Sequence, residues 1–404
     1  MNSNGERSWK PVEVSERYTA LDLLRGFALF GVLLINLLYF FRISLFDHIL
    51  RFHSHAGTVN HAIDLVMATL VEFKAFNLFA LTFGIGLAVQ GERAGMRGIV
   101  AEVFLVRRFL VLLGIGLVHV LLVSNVDILT LYAVCGLLAI PLMRLPVGVL
   151  AIAGLAAIYL PSLVSGFAGL PPEADLRAHV ARATEIYGRG SMAAILEFRW
   201  QETRSLILPL NFGVAQRTFG MMLLGVAVWR WGVIREPERY RSRLWAIVLG
   251  AGIVGMINSA AGAFAEASGR PVTVAPWIAV LGSNVPLAFA YAAALLAWKR
   301  SARAVRWTAP VAAAGRMALT NYLLQSIVLA ILFYGYGFQL FGRLDPQTAG
   351  VIGVVFYAGQ LWFSVWWLKR YRFGPCEWLW RSLTYGQWQT MRHATERFEP
   401  VLLD

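Results

Sequence analysis

Residues 19–41 read TALDLLRGFALFGVLLINLLYFF, a membrane-length apolar run that carries Asp22, Arg25 and Asn36 inside it. A charge at the centre of a spanning helix costs about 2.5–3.5 kcal/mol on insertion scales, so it turns toward protein or a water-filled cavity. Arg25 and Asn36 are eleven positions apart, about three turns plus 20°, so they share one helical face and sit about 16 Å apart along the axis. Asp22, three residues before Arg25, is placed to pair with it on that face. Two readings stand side by side: a buried ion pair that orients the helix, or a polar site or pathway.

The rest of the chain extends this pattern. Of its 404 residues, 58% are hydrophobic and 15% charged, and apolar runs near 20 residues recur throughout. That excludes a soluble enzyme and predicts an all-α, polytopic transmembrane helical bundle. About ten spans can be drawn, at 19–41, 65–90, 109–124, 127–143, 147–164, 205–229, 244–264, 275–298, 311–333 and 349–368. With the N-terminus inside, the inner stretches hold more than twice the Lys and Arg of the outer ones, so both termini are expected in the cytoplasm. The first seventeen residues are polar and no cleavage pattern follows, which reads 19–41 as an uncleaved anchor. The net charge of +13 therefore reports topology rather than nucleic-acid binding. The basic runs 235–243 and 299–306 suit anionic membrane lipids. The two cysteines, Cys135 in an apolar segment and Cys376 in a basic tail, give neither a disulfide framework nor metal-ligand spacing.

No soluble domain interrupts the chain, which reads as one integral membrane domain over 1–404. A polar cytoplasmic tail covers 1–18, and an extracytoplasmic loop at 165–204 is patterned for amphipathic helices. A second outer stretch carries His48, His53, His55 and His61, without the helical His pair or completing carboxylate of a metal motif. It reads as a solvated cluster, and no metal is expected.

Other polar residues fall within the spans. Arg108 precedes His119 by eleven residues, repeating the Arg25-to-Asn36 spacing. Arg107-Arg108 is also an ordinary topology signal. Asp127 follows closely, and a carboxylate beside a histidine can fix its tautomer and raise its basicity, giving a general base. A histidine bonded to a neighbouring helix satisfies the same pattern. Arg217 lies mid-span and requires a partner, Asp127 or a substrate anion. Lys74 opens a run ending in Gly84 and Gly86, which read as helix-packing residues. Arg316, Thr320, Asn321, Tyr322 and Gln325 lie close together. Asn321 and Gln325 share a face, which suits an interhelical hydrogen-bond network or a substrate contact. Nucleophile-elbow, Walker, dinucleotide and zinc-protease signatures are absent from the sequence.

Longer motifs carry a family resemblance. Residues 315–326 (GRMALTNYLLQS), 333–337 (FYGYG) and 374–386 (GPCEWLWRSLTYG) closely resemble the bacterial YeiB-like membrane family, domain of unknown function 418. So do Leu21–Ala28, Leu78–Gly84, Arg107–His119, Asp127–Ala133 and Gly220–Gly225. The 300–400 region is the family-specific part. More distantly, Leu-Asp-x-x-Arg-Gly at 21–26 with Asn36 eleven residues after the arginine looks like the opening helix of transmembrane acyltransferases. Polysaccharide O-acyltransferases of that group carry a histidine where Asn36 stands, and an asparagine cannot act as a base.

That likeness implies a transmembrane-acyltransferase-like fold in the bacterial inner membrane, with cytoplasmic acyl-CoA as donor substrate. Arg25, Arg108, Arg316 and Arg381 would hold its phosphates. His119 with Asp127, or His48, would supply the base, and Asn36 an oxyanion contact. The acceptor would be a small molecule or glycan bearing a hydroxyl or amine. A transporter or exporter, and a non-catalytic envelope scaffold, are the competing readings.

Overall fold

The structure is a computed structural model, described for residues 18–51, 58–164, 171–267, 284–298 and 302–393. Among these residues it is helical, and one isolated bridge, Tyr371 with Arg392, is the β pairing. Helix α1 (Thr19–Ile35) continues through a π-helical turn, Asn36–Phe41. Then come α2 (Leu45–Arg51), α3 (Thr58–Val66), α4 (Lys74–Met96), α5 (Ala101–Leu122), α6 (Ile128–Ala139) and α7 (Val147–Val164). Two helices at one end of the bundle, α8 (Glu173–Arg189) and α9 (Met192–Glu202), lead into α10 (Leu208–Arg230). The remainder is α11 (Arg241–Ala267), α12 (Asn284–Ala297), α13 (Ala302–Arg316), α14 (Ala318–Phe333), α15 (Pro346–Leu368) and α16 (Pro375–Tyr385).

The ten-span expectation is met in part. Six helical stretches among the described residues are long and apolar enough to cross a membrane: Thr19–Phe41, Ala62–Met96, Ala101–Leu122, Met192–Arg230, Arg241–Ala261 and Pro346–Leu368. The expected span at 311–333 is instead two helices, Ala304–Arg316 and Ala318–Phe333, meeting at 75°. Those expected at 127–143, 147–164 and 275–298 correspond to shorter apolar helices, Ile128–Ala139, Val147–Leu160 and Asn284–Ala297, with 275–283 outside the described residues. Apolar composition alone does not separate a full crossing from a short buried helix; length does. Residues 171–204, expected to form an outer loop with amphipathic helices, hold the two helices α8 and α9.

Glycine decides how closely the central helices meet. A Cβ on Gly26 of α1 would collide with the Val311 carbonyl of α13, and one on Gly315 with the Asp22 carbonyl of α1. This reciprocal backbone contact, the small-residue mode of membrane helix packing, sets Arg25 and Arg316 on adjoining helices at the same level. Gly84 of α4 meets the Met222 carbonyl of α10 in the same way, in line with its packing assignment. Between these helices lies one large apolar core that includes Leu24, Leu33, Leu78, Leu112, Tyr132, Met221 and Phe333. The apolar side chains left exposed on α11 and α15, such as Leu249, Ile257, Val355 and Trp362, suit a lipid surround.

Candidate functional site

Where α1, α4, α5, α13, α14 and α16 converge, they enclose a cavity of about 170 Å³. Among the described residues, six arginines line it, Arg25, Arg93, Arg108, Arg316, Arg372 and Arg381, with two carboxylates, Asp22 and Glu377. All six are half-buried. The four arginines singled out in the sequence thus come together in one place although they span residues 25 to 381. The Asp22–Arg25 pairing is present but loose, with Nη1 3.7 Å from Oδ1. Arg108 lies flat against the Trp380 ring at 3.6 Å, and the Trp380 indole N–H donates to the Arg108 carbonyl at 2.9 Å. Arg381 stacks on Phe373 at 4.7 Å. Aromatic faces hold cations in place without neutralising them, so the cavity keeps an excess of positive charge.

Glu377 is the less available of the two carboxylates. Its Oε1 accepts the backbone N–H groups of Leu319 (2.7 Å) and Thr320 (3.1 Å), and its Oε2 accepts the Thr320 hydroxyl at 2.6 Å. A side chain 57 residues away in sequence therefore satisfies the open amides of the α14 N-terminus. This is the physical reason for the 75° bend: the α14 amides turn to Glu377 instead of continuing the α13 ladder. Burial pushes the Glu377 carboxyl above its ordinary range, with the Thr320 and Leu319 donors pulling the other way. Burial also lowers the Arg381 guanidinium, while Tyr385 and Glu377 oppose the shift.

Tyr322 connects the cavity to a second constellation. It lines the cavity wall, and its hydroxyl lies 3.4 Å from Asp127 Oδ1, to which it donates, and 3.4 Å from the Ile128 N–H, from which it accepts. Asp127 caps α6, accepting the Thr130 N–H at 2.6 Å and the Thr130 hydroxyl at a very short separation. His119 Nδ1 stands 2.9 Å from Asp127 Oδ1, and both side chains are 1% exposed. The contact is close but poorly aligned for a hydrogen bond, and Nε2 has no hydrogen-bond partner among the described residues. The His119 and Tyr322 rings lie 5.3 Å apart. A carboxylate-flanked imidazole with an unengaged nitrogen is the arrangement a general base requires.

The remaining sequence candidates lie elsewhere. Asn36 is buried where α1 passes into its π turn, and no hydrogen bond joins it to His119 or Asp127. His48 overturns the solvated-cluster reading for its own position. It is 4% exposed, stacks on Tyr39 at 3.8 Å and sets Nε2 3.2 Å from Glu72 Oε1. His53 and His55, and the side chain of His61, lie outside the described residues. Lys74 sits at the start of α4, where its ammonium donates to the Ala68 carbonyl at 2.5 Å. Arg217 is not paired with Asp127: its guanidinium lies 5.7 Å from the Phe73 ring and near Tyr159, an aromatic rather than ionic setting. Asn321 and Gln325 form an interhelical network. Asn321 Nδ2 donates to Ser364 Oγ (3.0 Å), Gln325 Nε2 to Gln360 Oε1 (2.8 Å), and Gln360 Nε2 to the Asn321 carbonyl (3.0 Å). Cys376 lies in helix α16 rather than in a basic tail.

Sequence reasoning passed over Arg93, Arg372, Glu377 and Trp380 in the cavity, and Glu72, Arg199 and Glu202 at the other end of the bundle. Glu377 had a legible signal, an acid in the first turn of a helix that opens Gly374-Pro375.

Comparison with known proteins places the chain in a group. Residues 228–387 match the family described as protein of unknown function (DUF418). The uncharacterized protein YxaH of Bacillus subtilis (strain 168) is 31% identical over 411 residues, covering 96% of this chain and 99% of its own length. The uncharacterized protein YeiB of Escherichia coli (strain K12) is 31% identical over 391 residues, covering 91% and 96%. An uncharacterized 39.9 kDa protein in the amylase 3' region of Bacillus acidopullulyticus is 28% identical over 383 residues, covering 93% and 96%. No solved structure matches. With an all-helical fold, several membrane-length helices and relatives that align from end to end, this chain belongs to the YeiB-like DUF418 family.

Proposed function

We propose that this protein is a transmembrane acyltransferase of the bacterial inner membrane. It moves an acyl group, acetyl in the simplest case, from cytoplasmic acyl-CoA to a hydroxyl or amine presented from outside. In this reading the short helices and the bent pair complete a ten-crossing topology with both termini in the cytoplasm. The observation that carries it is the continuity from the six-arginine cavity, through Tyr322, to the His119–Asp127 pair. A surplus of guanidinium groups suits the phosphates of a polyanionic donor, which they bind with charge-assisted hydrogen bonds.

The chemistry follows from the groups present. His119 Nε2 takes the proton of the acceptor as its oxygen or nitrogen attacks the thioester carbonyl carbon. Asp127 stabilises the imidazolium that forms. The carbonyl oxygen gains the negative charge, and the Tyr322 hydroxyl is the nearby donor suited to meet it; Asn36 serves in this role only if substrate bridges to it. Collapse re-forms the C=O bond and breaks the C–S bond, and the imidazolium returns its proton to the departing thiolate. The products are the acylated acceptor and free CoA.

The test is incubation of the purified full chain with radiolabelled acetyl-CoA in lipid nanodiscs, with and without a membrane glycan extract. Transfer of label, or slow release of free CoA, that is lost in His119→Ala supports the reading. CoA binding without turnover in any condition rejects catalysis. The bent α13–α14 pair beside the cavity specifically favours the alternative, export of an anionic solute, because transporters place such broken helices at their binding sites. Proteoliposome efflux of a bound anion without acyl transfer would select it.

A further inference from the structure

A separate feature, independent of acyl transfer, lies at the end of the bundle away from the arginine cavity. Arg199 of α9 is 1% exposed, and its Nε, Nη1 and Nη2 make no hydrogen bond with the described residues. Its carboxylate neighbour one turn along, Glu202, is already engaged. Glu202 Oε2 accepts from Asn125 Nδ2 and from the Tyr187 hydroxyl, each at 2.7 Å, and Oε1 lies 2.8 Å from His179 Nε2. No ion pair to Arg199 is formed among the described residues. Burying an unpaired guanidinium carries a desolvation penalty that an aromatic face alone does not offset. Each such orphan calls for a missing partner.

The surroundings indicate what that partner is. The guanidinium lies 5.5 Å from the Tyr334 ring. The Tyr334 and Tyr336 hydroxyls approach the guanidinium closely enough to interact with it, but none of its nitrogens reaches full hydrogen-bond geometry. Both tyrosines belong to the Phe333-Tyr334-Gly335-Tyr336-Gly337 motif, for which the cavity chemistry has no use. The motif is fixed against the α8–α9 junction: the Gly335 N–H donates to the Tyr187 carbonyl at 2.7 Å, and a Cβ on Gly335 would lie 2.5 Å from the Gly190 carbonyl oxygen. The glycine thus lets the backbone come close enough for its two flanking tyrosines to close over Arg199. Tyr336 is half-buried and gives the site its edge toward the surface.

We propose that Arg199, with the hydroxyls of Tyr334 and Tyr336, forms an anion-binding site that takes a phosphate or carboxylate group. The planar guanidinium fork matches either oxyanion, and the phenols supply two further donors. The anion can arrive as a soluble ion or solute, or as the phosphate of a lipid headgroup, and the experiment separates these sources.

Inorganic phosphate is titrated into the full chain in nanodiscs of neutral phosphatidylcholine, at ionic strength held constant with sodium isethionate, and the thermal unfolding midpoint is followed. A ligand that binds the folded state alone raises the midpoint saturably. The expected result is a rise with one component whose apparent affinity falls by about tenfold or more in Arg199→Gln, by the loss of a charge-assisted bond, and by a smaller factor in Tyr336→Phe. That component persists in Arg25→Gln, which separates it from phosphate held in the arginine cavity. A second arm uses phosphatidylglycerol nanodiscs without phosphate. If the headgroup is the source, the stabilisation is already present there and is lost in Arg199→Gln. The proposal is overturned if neither arm stabilises the wild type, or if the variants respond as the wild type does. Should Arg199→Gln fail to fold, an unchanged response in Tyr336→Phe overturns it. No CoA enters the experiment, so its outcome is separate from that of the acyl-transfer reading.

Discussion

The two ends of the bundle handle charge in opposite ways. At the arginine cavity, six guanidinium groups face two carboxylates, and one of those, Glu377, is occupied with backbone amides. Beyond Tyr322, each of three histidines has its own carboxylate: His48 with Glu72, His119 with Asp127 and His179 with Glu202. A surplus of fixed cations is an arrangement suited to holding something anionic, since an anion offsets the mutual repulsion of the guanidinium groups. Histidine–carboxylate pairs are an arrangement for moving or orienting protons, because the carboxylate sets the tautomer and the basicity of the ring. The arginine cluster and the histidine–carboxylate pairs are thus segregated along the helix axis, with Tyr322 at the boundary.

The largest expected effect tests whether the proton-handling end is needed for turnover. His119→Ala should reduce acyl transfer by about 10²–10⁴-fold, the usual contribution of a general base, while leaving donor binding intact. Equal loss in His48→Ala and none in His119→Ala would move the base to the Glu72 pair. Next comes the cavity itself. Arg25→Gln or Arg108→Gln should each weaken CoA binding by about tenfold to a hundredfold, since a hydrogen bond to a charged group contributes about 1.5–3 kcal/mol. Wild-type affinity in both variants would show that the positive surplus serves the fold.

A smaller effect probes the boundary. Tyr322→Phe keeps the ring in the cavity wall and removes the contact with Asp127, so it should slow transfer by about tenfold at unchanged donor affinity, the neutral hydrogen-bond end of the same scale. A change in affinity without a change in rate would instead make Tyr322 a binding residue. The smallest effect is a pH dependence. The folded-state Glu377 carboxyl titrates above its ordinary value of 4.5. The native state therefore binds a proton more readily than the unfolded chain. This group's contribution favours folding below the unfolded value and declines as pH rises through the folded one. The difference in unfolding midpoint between wild type and Glu377→Gln, measured from pH 4 upward, should shift in that direction; a difference independent of pH would mean that folding leaves the Glu377 pKa unshifted.

Much of the cation-rich half was legible in sequence, and the reason is specific. Arg25 and Arg108 stand out because they interrupt or border apolar runs, where each charge is conspicuous. Asn36, eleven residues after Arg25, is buried where α1 passes into its π turn and makes no hydrogen bond to the His119–Asp127 pair. The contribution of α16 was harder to read. Its residues belong to a short amphipathic segment whose ordinary reading is an interfacial helix, and its contacts with α5 join positions more than 270 apart, such as the Trp380 indole with the Arg108 carbonyl. The histidine pairs were half legible: Asp127 lies eight residues from His119, whereas Glu72 is 24 from His48 and Glu202 is 23 from His179, with helix boundaries between them. Local spacing rules do not reach across such breaks.

Glu377 also fixes an order of assembly. The carboxylate that terminates the bend at Met317, together with Trp380 and Arg381, is contributed by the last helix among the described residues, after every membrane-length stretch has been made. During synthesis the helices before α16 are made while one side of the arginine cluster is still open and the α14 amides lack this acceptor. The emerging carboxyl-terminal helix then acts as a keystone, so a chain stopped before Pro375 would lack the carboxylate that receives the α14 amides and the Trp380 and Arg381 side chains of the cavity wall.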